Sequence, residues 1–221
     1  LEFRRVLFRS LSSAMIIAGM TVVLIIVAHP WGTRIAIIGG IASVPAVSII
    51  RSVAVQLAQS SDSFRWGRIQ AWLNPESESS GKGYQIMQGL YALGSGGLFG
   101  KGLGNSAQKL GAVPEAQNDM IFTIVCEELG VFGAAVLTML FVFLLYRLFF
   151  IAQNAPDLLG ALIVTGIFAQ VALQVILNIA VVLNVIPATG ITLPFISYGG
   201  TSIVFLMAEM GIALSVADKI R

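Results

Sequence analysis

Long apolar runs broken by one extended polar stretch give this chain a helical pattern before any motif is considered. Residues 11–28 and 33–50 form apolar segments near the lower limit for crossing about 30 Å of hydrocarbon. Gly39, Gly40 and Pro45 interrupt the second, which a membrane helix tolerates where neighbouring helices satisfy the freed carbonyls. Residues 120–150 are apolar apart from Glu127, Glu128 and Arg147; residues 158–186 carry no charge; residues 195–217 carry only Glu209. The pattern predicts an all-α fold, a polytopic transmembrane helix bundle with five spans, and a long water-facing loop over residues 51–119. In that loop Ile86, Leu90 and Leu93 recur at helical spacing, which predicts a short amphipathic helix lying on the membrane surface. Trp66 and Trp72 suit the headgroup level.

Composition sharpens this picture. The chain is 57% hydrophobic and 11% charged, against about 25% charged residues in an ordinary soluble domain, which excludes a water-soluble enzyme. The net charge of +2 comes without any long basic cluster interleaved with aromatic residues, so no nucleic-acid partner is expected. Cys126 is the single cysteine, which rules out an intramolecular disulfide and a four-cysteine zinc site. His29, the single histidine, stands beside Pro30 and Trp31 and reads as an interfacial residue. Residues 1–10 share neither composition nor rhythm with the rest of the chain. They are Arg-rich ahead of an apolar run, yet that run leads into no small-residue cleavage site of a signal peptide. Leu1-Glu2-Phe3 is also what common cloning sites encode, so a non-native leader is expected there. His29, Arg34, Arg147, Lys219 and Arg221 flank short connections or the terminus on one side. Long loops are discounted when charge is used to orient a protein, so the long loop is expected outside the cytoplasm and the tail 218–221 inside it.

The polar stretch holds the candidate chemistry. Gly94–Ser106 is glycine-rich but fails the phosphate-loop pattern, which would need glycine at Ser95 and serine or threonine at Gly102. It is either a flexible turn or a cradle for an anionic headgroup, with backbone N–H groups, Lys101, Asn105 and Lys109 as the contributing groups. Asp119, the last polar residue before the third span, is either a helix N-cap or a general base at the membrane–water boundary, with Glu115 nearby. At 100° per residue, Glu127 stands about 80° and Glu128 about 180° around the helix from Asp119, so the three cannot line one pocket. At least one of them is expected to pair or pack elsewhere, and Glu209 carries the same ambiguity.

Two separated runs carry a resemblance. Pro114-Glu115-Ala116-Gln117-Asn118-Asp119-Met120-Ile121-Phe122, followed by Glu127-Glu128-Leu129-Gly130, resembles the signature of the SEDS family of bacterial shape, elongation, division and sporulation proteins. Pro187-Ala188-Thr189-Gly190-Ile191-Thr192-Leu193-Pro194-Phe195-Ile196-Ser197-Tyr198-Gly199-Gly200-Thr201-Ser202 does so too, and its wording is closer to the FtsW and SpoVE branch than to RodA. Ser12-Ser13-Ala14 and Gly94–Ser106 extend the similarity over residues 11–217. One departure stands out: Gln117-Asn118 replaces the His-Thr frequent in the family, so no imidazole acts there.

The resemblance implies ten spans with both termini cytoplasmic, of which this chain would hold the last five, and a piece lacking its other half is expected to be inactive alone. It implies a peptidoglycan glycosyltransferase in the bacterial cytoplasmic membrane that polymerises lipid II at the outer face during division or sporulation. Asp119 would be the essential carboxylate. Beside what the resemblance implies, Lys101, Asn105, Lys109, Glu115 and Ser197 are the expected substrate contacts. Lys101, Lys109 or a divalent cation, magnesium or manganese, would neutralise the leaving pyrophosphate, and no organic cofactor is expected. The implied partners are a class B penicillin-binding protein transpeptidase and components of the divisome or sporulation machinery. A lipid II flippase, suggested by Pro45, Pro194 and the intramembrane carboxylates, and a non-catalytic scaffold recruiting a transpeptidase are the competing readings.

Overall fold

The computed structural model describes residues 11–29, 71–75, 82–106 and 117–220. Residues 1–10 and the expected span 33–50 lie outside these, as do Trp66, Lys109 and Glu115. Among the described residues the regular elements are helices: α1 (Leu11–Ala28), α2 (Lys82–Ser95), α3 (Ile121–Asn154), α4 (Leu158–Val182) and α5 (Gly200–Ala217). Helices α3, α4 and α5 are long and apolar enough to cross a membrane. They leave Met139, Phe143, Val204 and Phe205 among many large apolar side chains exposed, a surface suited to hydrocarbon rather than water.

The third span departs from its expectation as one continuous helix. Gly130 stands at φ 69°, ψ −170°, a backbone region open essentially to glycine alone, so α3 is two helices end to end. In an unbroken helix the N–H groups of Val131 and Phe132 would donate to the carbonyls of Glu127 and Glu128. Here Val131 N donates to Gly97 O (3.0 Å) and Phe132 N to Leu98 O (3.1 Å). The two freed carbonyls accept from Lys101 N and Gly102 N, each at 2.9 Å. The glycine-rich stretch is therefore a clamp that replaces the interrupted helical bonds from outside, and not the flexible turn that its composition allowed. A Cβ on Gly130 would overlap Gly100 N and the Leu98 carbonyl, so the close approach also requires glycine.

Helix α2 packs against α3, and its buried positions Gly83, Ile86, Gly89 and Ala92 recur at a spacing of three. Of the expected face, Ile86 is buried and Leu90 and Leu93 are half-buried, Leu93 against the core, while Gly83, Gly89 and Ala92 supply the other buried positions. Gly89 faces Met120, whose methyl group would meet any added Cβ. Helices α3 and α4 share a core of Phe122, Ile124, Phe141, Val171 and Val175. Nearer the opposite end, Leu148, Ile151, Val164 and Ala213 form a second cluster. Asp157 caps α4 by accepting from Gly160 N at 2.9 Å. Helix α4 ends at Val182 rather than residue 186, and Asn184 turns the chain at φ 55°.

The last helix starts at Gly200, not at residue 195. Phe195 takes φ 63°, a conformation that stops a helix from forming through it. Residues 187–199 consequently form an irregular segment between α4 and α5 that ends beside the start of α3. Irregular backbone at such a position requires partners for its polar groups, and those partners build the site.

A candidate active site where two polar segments meet

Asp119 sits at the mouth of α3 without capping it. The N-cap position is Met120, with no side-chain cap bond, so the N-cap reading of Asp119 gives way. Instead, three consecutive main-chain carbonyls are held by groups from α4 and the 187–199 segment. Tyr198 N donates to Gln117 O at 2.8 Å. Ser197 Oγ donates to Asn118 O at 2.6 Å. Asn178 Nδ2 donates to Asp119 O at 2.8 Å and to Ile191 O at 2.7 Å. The two sequence motifs are thus laced together through the backbone around Asp119.

This lacing fixes the backbone that carries the carboxylate. Its Oδ1 is withdrawn from solvent. A Cβ built on Gly190 would lie 3.9 Å from Oδ2, so the carboxylate rests over the backbone of the second motif. Gly190 has φ 73°, a left-handed turn that glycine adopts without strain. Gln117 and Asn118, which replace the family's frequent His-Thr, contribute carbonyls to the lacing, a role open to any residue type.

Ser197, expected as a substrate contact, has its hydroxyl committed to the backbone. Ser197 is 5% exposed, and its hydroxyl both donates to Asn118 O and accepts from Leu193 N at 2.7 Å. Its own N–H donates to Leu193 O at 3.1 Å, closing the turn that contains Phe195. Ser197 is a brace for the segment beneath Asp119.

Lys101, expected in a headgroup cradle, is engaged within the protein. Lys101 Nζ pairs with Glu127 Oε1 at 2.7 Å, its side chain 38% exposed against 0% for the carboxylate. Ser95 Oγ reaches the same oxygen at 3.3 Å, and Ser106 Oγ donates to Oε2 at 2.5 Å. A buried carboxylate needs such compensation, since desolvating an unpaired charge is costly. Glu127 thus has the pairing role expected of at least one of the three carboxylates. The Asn105 amide donates to Lys101 O at 3.2 Å and so shapes this turn. Lys109 and Glu115 fall outside the described residues.

Deeper in the bundle, Gln170 Nε2 donates to both oxygens of Glu209 at 3.0 and 3.2 Å, giving that carboxylate a partner across α4 and α5. Trp72, expected at headgroup level, donates from its indole to Asn184 O at 3.0 Å, which anchors a piece of the long loop at the α4 terminus. Among the described residues no three His, Cys, Asp or Glu side chains gather as metal ligands. They supply no cage for the divalent cation considered from sequence, and no step is assigned to one.

Fold and site together define a helical membrane protein in which Asp119 is seated on an irregular segment between the last two described helices. The chain belongs to the FtsW/RodA/SpoVE family, whose model, described as a cell cycle protein, matches residues 5–221. It is 49% identical over 158 residues to stage V sporulation protein E of Bacillus subtilis, covering 72% of this chain and 43% of that protein. It is 37% identical over 211 residues to a probable peptidoglycan glycosyltransferase FtsW of Trichlorobacter lovleyi, covering 96% and 53%. The chain thus spans about half the length of the curated relatives that it matches. A solved structure from work on the structural coordination of polymerization and crosslinking by a peptidoglycan synthase complex superposes with a TM-score of 0.68 at 25% identity, covering 95% of this chain and 56% of that one. The membership expected from the two motifs is met.

Proposed function

We propose that this chain is the base-carrying part of a peptidoglycan glycosyltransferase that polymerises lipid II, with Asp119 as the general base. The observation that carries the reading is the lacing of the Gln117, Asn118 and Asp119 carbonyls by Tyr198, Ser197 and Asn178, which fixes the backbone that carries the Asp119 carboxylate at the mouth of α3.

In the reaction, Asp119 accepts the proton of the acceptor N-acetylglucosamine 4-hydroxyl as that oxygen attacks the anomeric carbon of the donor N-acetylmuramic acid. The new glycosidic C–O bond forms with inversion while the bond to the pyrophosphate oxygen breaks, and undecaprenyl pyrophosphate departs. A base fixed through its own backbone contributes orientation as well as proton transfer, which is where an enzyme lowers the entropic cost of bringing two lipid-linked sugars together. Lys101 is committed to Glu127, so neutralising the leaving group falls to other cations of the long loop, Lys109 among them.

The site lies at the outer face of the cytoplasmic membrane, with the long loop outside and the residues after α5 inside, a reading supported by the charge of the short connections. The partner is a class B penicillin-binding protein transpeptidase, supported by the superposition on a structure described as a peptidoglycan synthase complex. The similarity to a sporulation protein and to FtsW proteins favours division or sporulation as the setting.

The test is polymer formation from purified lipid II by a full-length protein carrying this sequence, in detergent and with no other glycosyltransferase present. Detergent removes the two sides of a membrane, so a flippase yields no product and a scaffold yields none. Glycan chains longer than the starting disaccharide support the proposal, and their absence from folded protein contradicts it.

A further inference from the structure

We infer that Glu127 is a positioning residue for Asp119, acting through the short helical segment between them, an inference that rests on reading Asp119 as the base. Between Asp119 and the break at Gly130 the chain forms little more than two turns, about 13 Å of helix. In a continuous helix that segment would be carried rigidly by the membrane span below it. The break at Gly130 removes this support, because the bonds that would join the two halves are made to residues 97–102 instead. The height and tilt of the outer segment are therefore set by the glycine-rich clamp rather than by residues 131–154.

Glu127 is where the clamp holds the segment by side chain as well as backbone. Its carbonyl accepts from Lys101 N, and its carboxylate collects Lys101 Nζ, Ser95 Oγ and Ser106 Oγ. These donors come from the end of α2, the middle of the glycine-rich stretch and Ser106 at its end, so one fully buried carboxylate ties three points of the clamp to the segment. At the far end, the bonds to Gln117, Asn118 and Asp119 hold the backbone against α4 and the 187–199 segment. The segment is pinned at two ends by separate devices, and loosening the lower one lets the upper one swing.

The test uses a full-length protein with Cys126→Ala in an otherwise cysteine-free background and a spin label at Gln117→Cys, whose side chain is exposed. Glu127→Gln keeps the shape and removes the charge. It should increase label mobility at 117 and, in the unlabelled protein, lower kcat on the order of tenfold to a hundredfold with KM within about twofold. Lys101→Arg, which still reaches the carboxylate, should retain both properties. If Glu127→Gln yields too little folded protein, Ser106→Ala removes one donor and is read in the same way. Unchanged mobility, or unchanged kcat per folded molecule beside a lower melting temperature, would reduce Glu127 to a stability element and overturn the inference. Normal polymerisation by Asp119→Asn would instead remove the base, while the mobility at 117 would still decide whether the clamp positions the segment.

Discussion

The amide of Asn178 donates to the main-chain carbonyl of Asp119 at 2.8 Å, and its second hydrogen reaches Ile191 O at 2.7 Å. One side chain on α4 thus fixes both polar segments against each other. Replacing it with Leu leaves two carbonyls without their donors at a buried position. The expected cost is about 2–4 kcal/mol, and Asn178→Asp, which turns donors into acceptors, should be worse. Thermal unfolding in detergent measures both; a Leu variant as stable as the parent would show that the bridge carries no weight.

Ser197 separates two roles by kinetics. A substrate contact would raise KM when removed. A brace would lower kcat and stability at constant KM, since Ser197→Ala loses the bonds to Leu193 N and Asn118 O together. The second pattern is expected, with a loss of stability of about 1–3 kcal/mol. Steady-state rates of lipid II consumption against its concentration distinguish them.

Lys101→Met should destabilise the protein by about 3–5 kcal/mol, because Glu127 remains buried with its counter-charge gone. Adding Glu127→Gln to that variant should recover part of the loss by removing the stranded charge. A double variant less stable than Lys101→Met, by melting temperature, would contradict a charge-pairing role.

Two glycines predict opposite signs. Gly130→Ala forces a side chain into a glycine-only conformation and onto the clamp backbone, a cost of at least about 3 kcal/mol. Gly94→Ala lies in α2 with nothing within 4 Å of the added carbon. It should be neutral or stabilising by about 0.5–1 kcal/mol. Parallel melting curves for the two variants check both the break and the packing of the loop.

The apolar runs are legible in the sequence because runs of that length have few other uses, and α1, α3, α4 and α5 fall within or close to them, α4 ending short of its run and α5 starting late in its own. Asp119 is legible through its motif and through the scarcity of charge around it. The break in α3 is not: Gly130 within an apolar run reads as a tolerated helical glycine, and its conformation is decided by the loop that docks on it. For the same reason Lys101 reads as an anion receptor, since its partner Glu127 is distant in sequence and only the clamp brings them together. Ser197 stands out as a motif residue, but a hydroxyl bonded to two backbone groups looks, in sequence, like any polar residue in a motif. The helical wheel assumes that Asp119 lies on the helix, whereas the helix starts at Ile121 and Asp119 is in the turn before it.

The most direct measurement is the rate of glycan polymerisation from purified lipid II by full-length protein with and without Asp119→Asn. The carboxamide matches the carboxylate in shape and leaves the lacing of residues 117–119 intact, since those bonds use main-chain carbonyls. Loss of the base predicts a fall in rate of about 10²–10⁴-fold with the melting temperature preserved. Polymer formed at the parental rate by the Asp119→Asn protein would contradict the account.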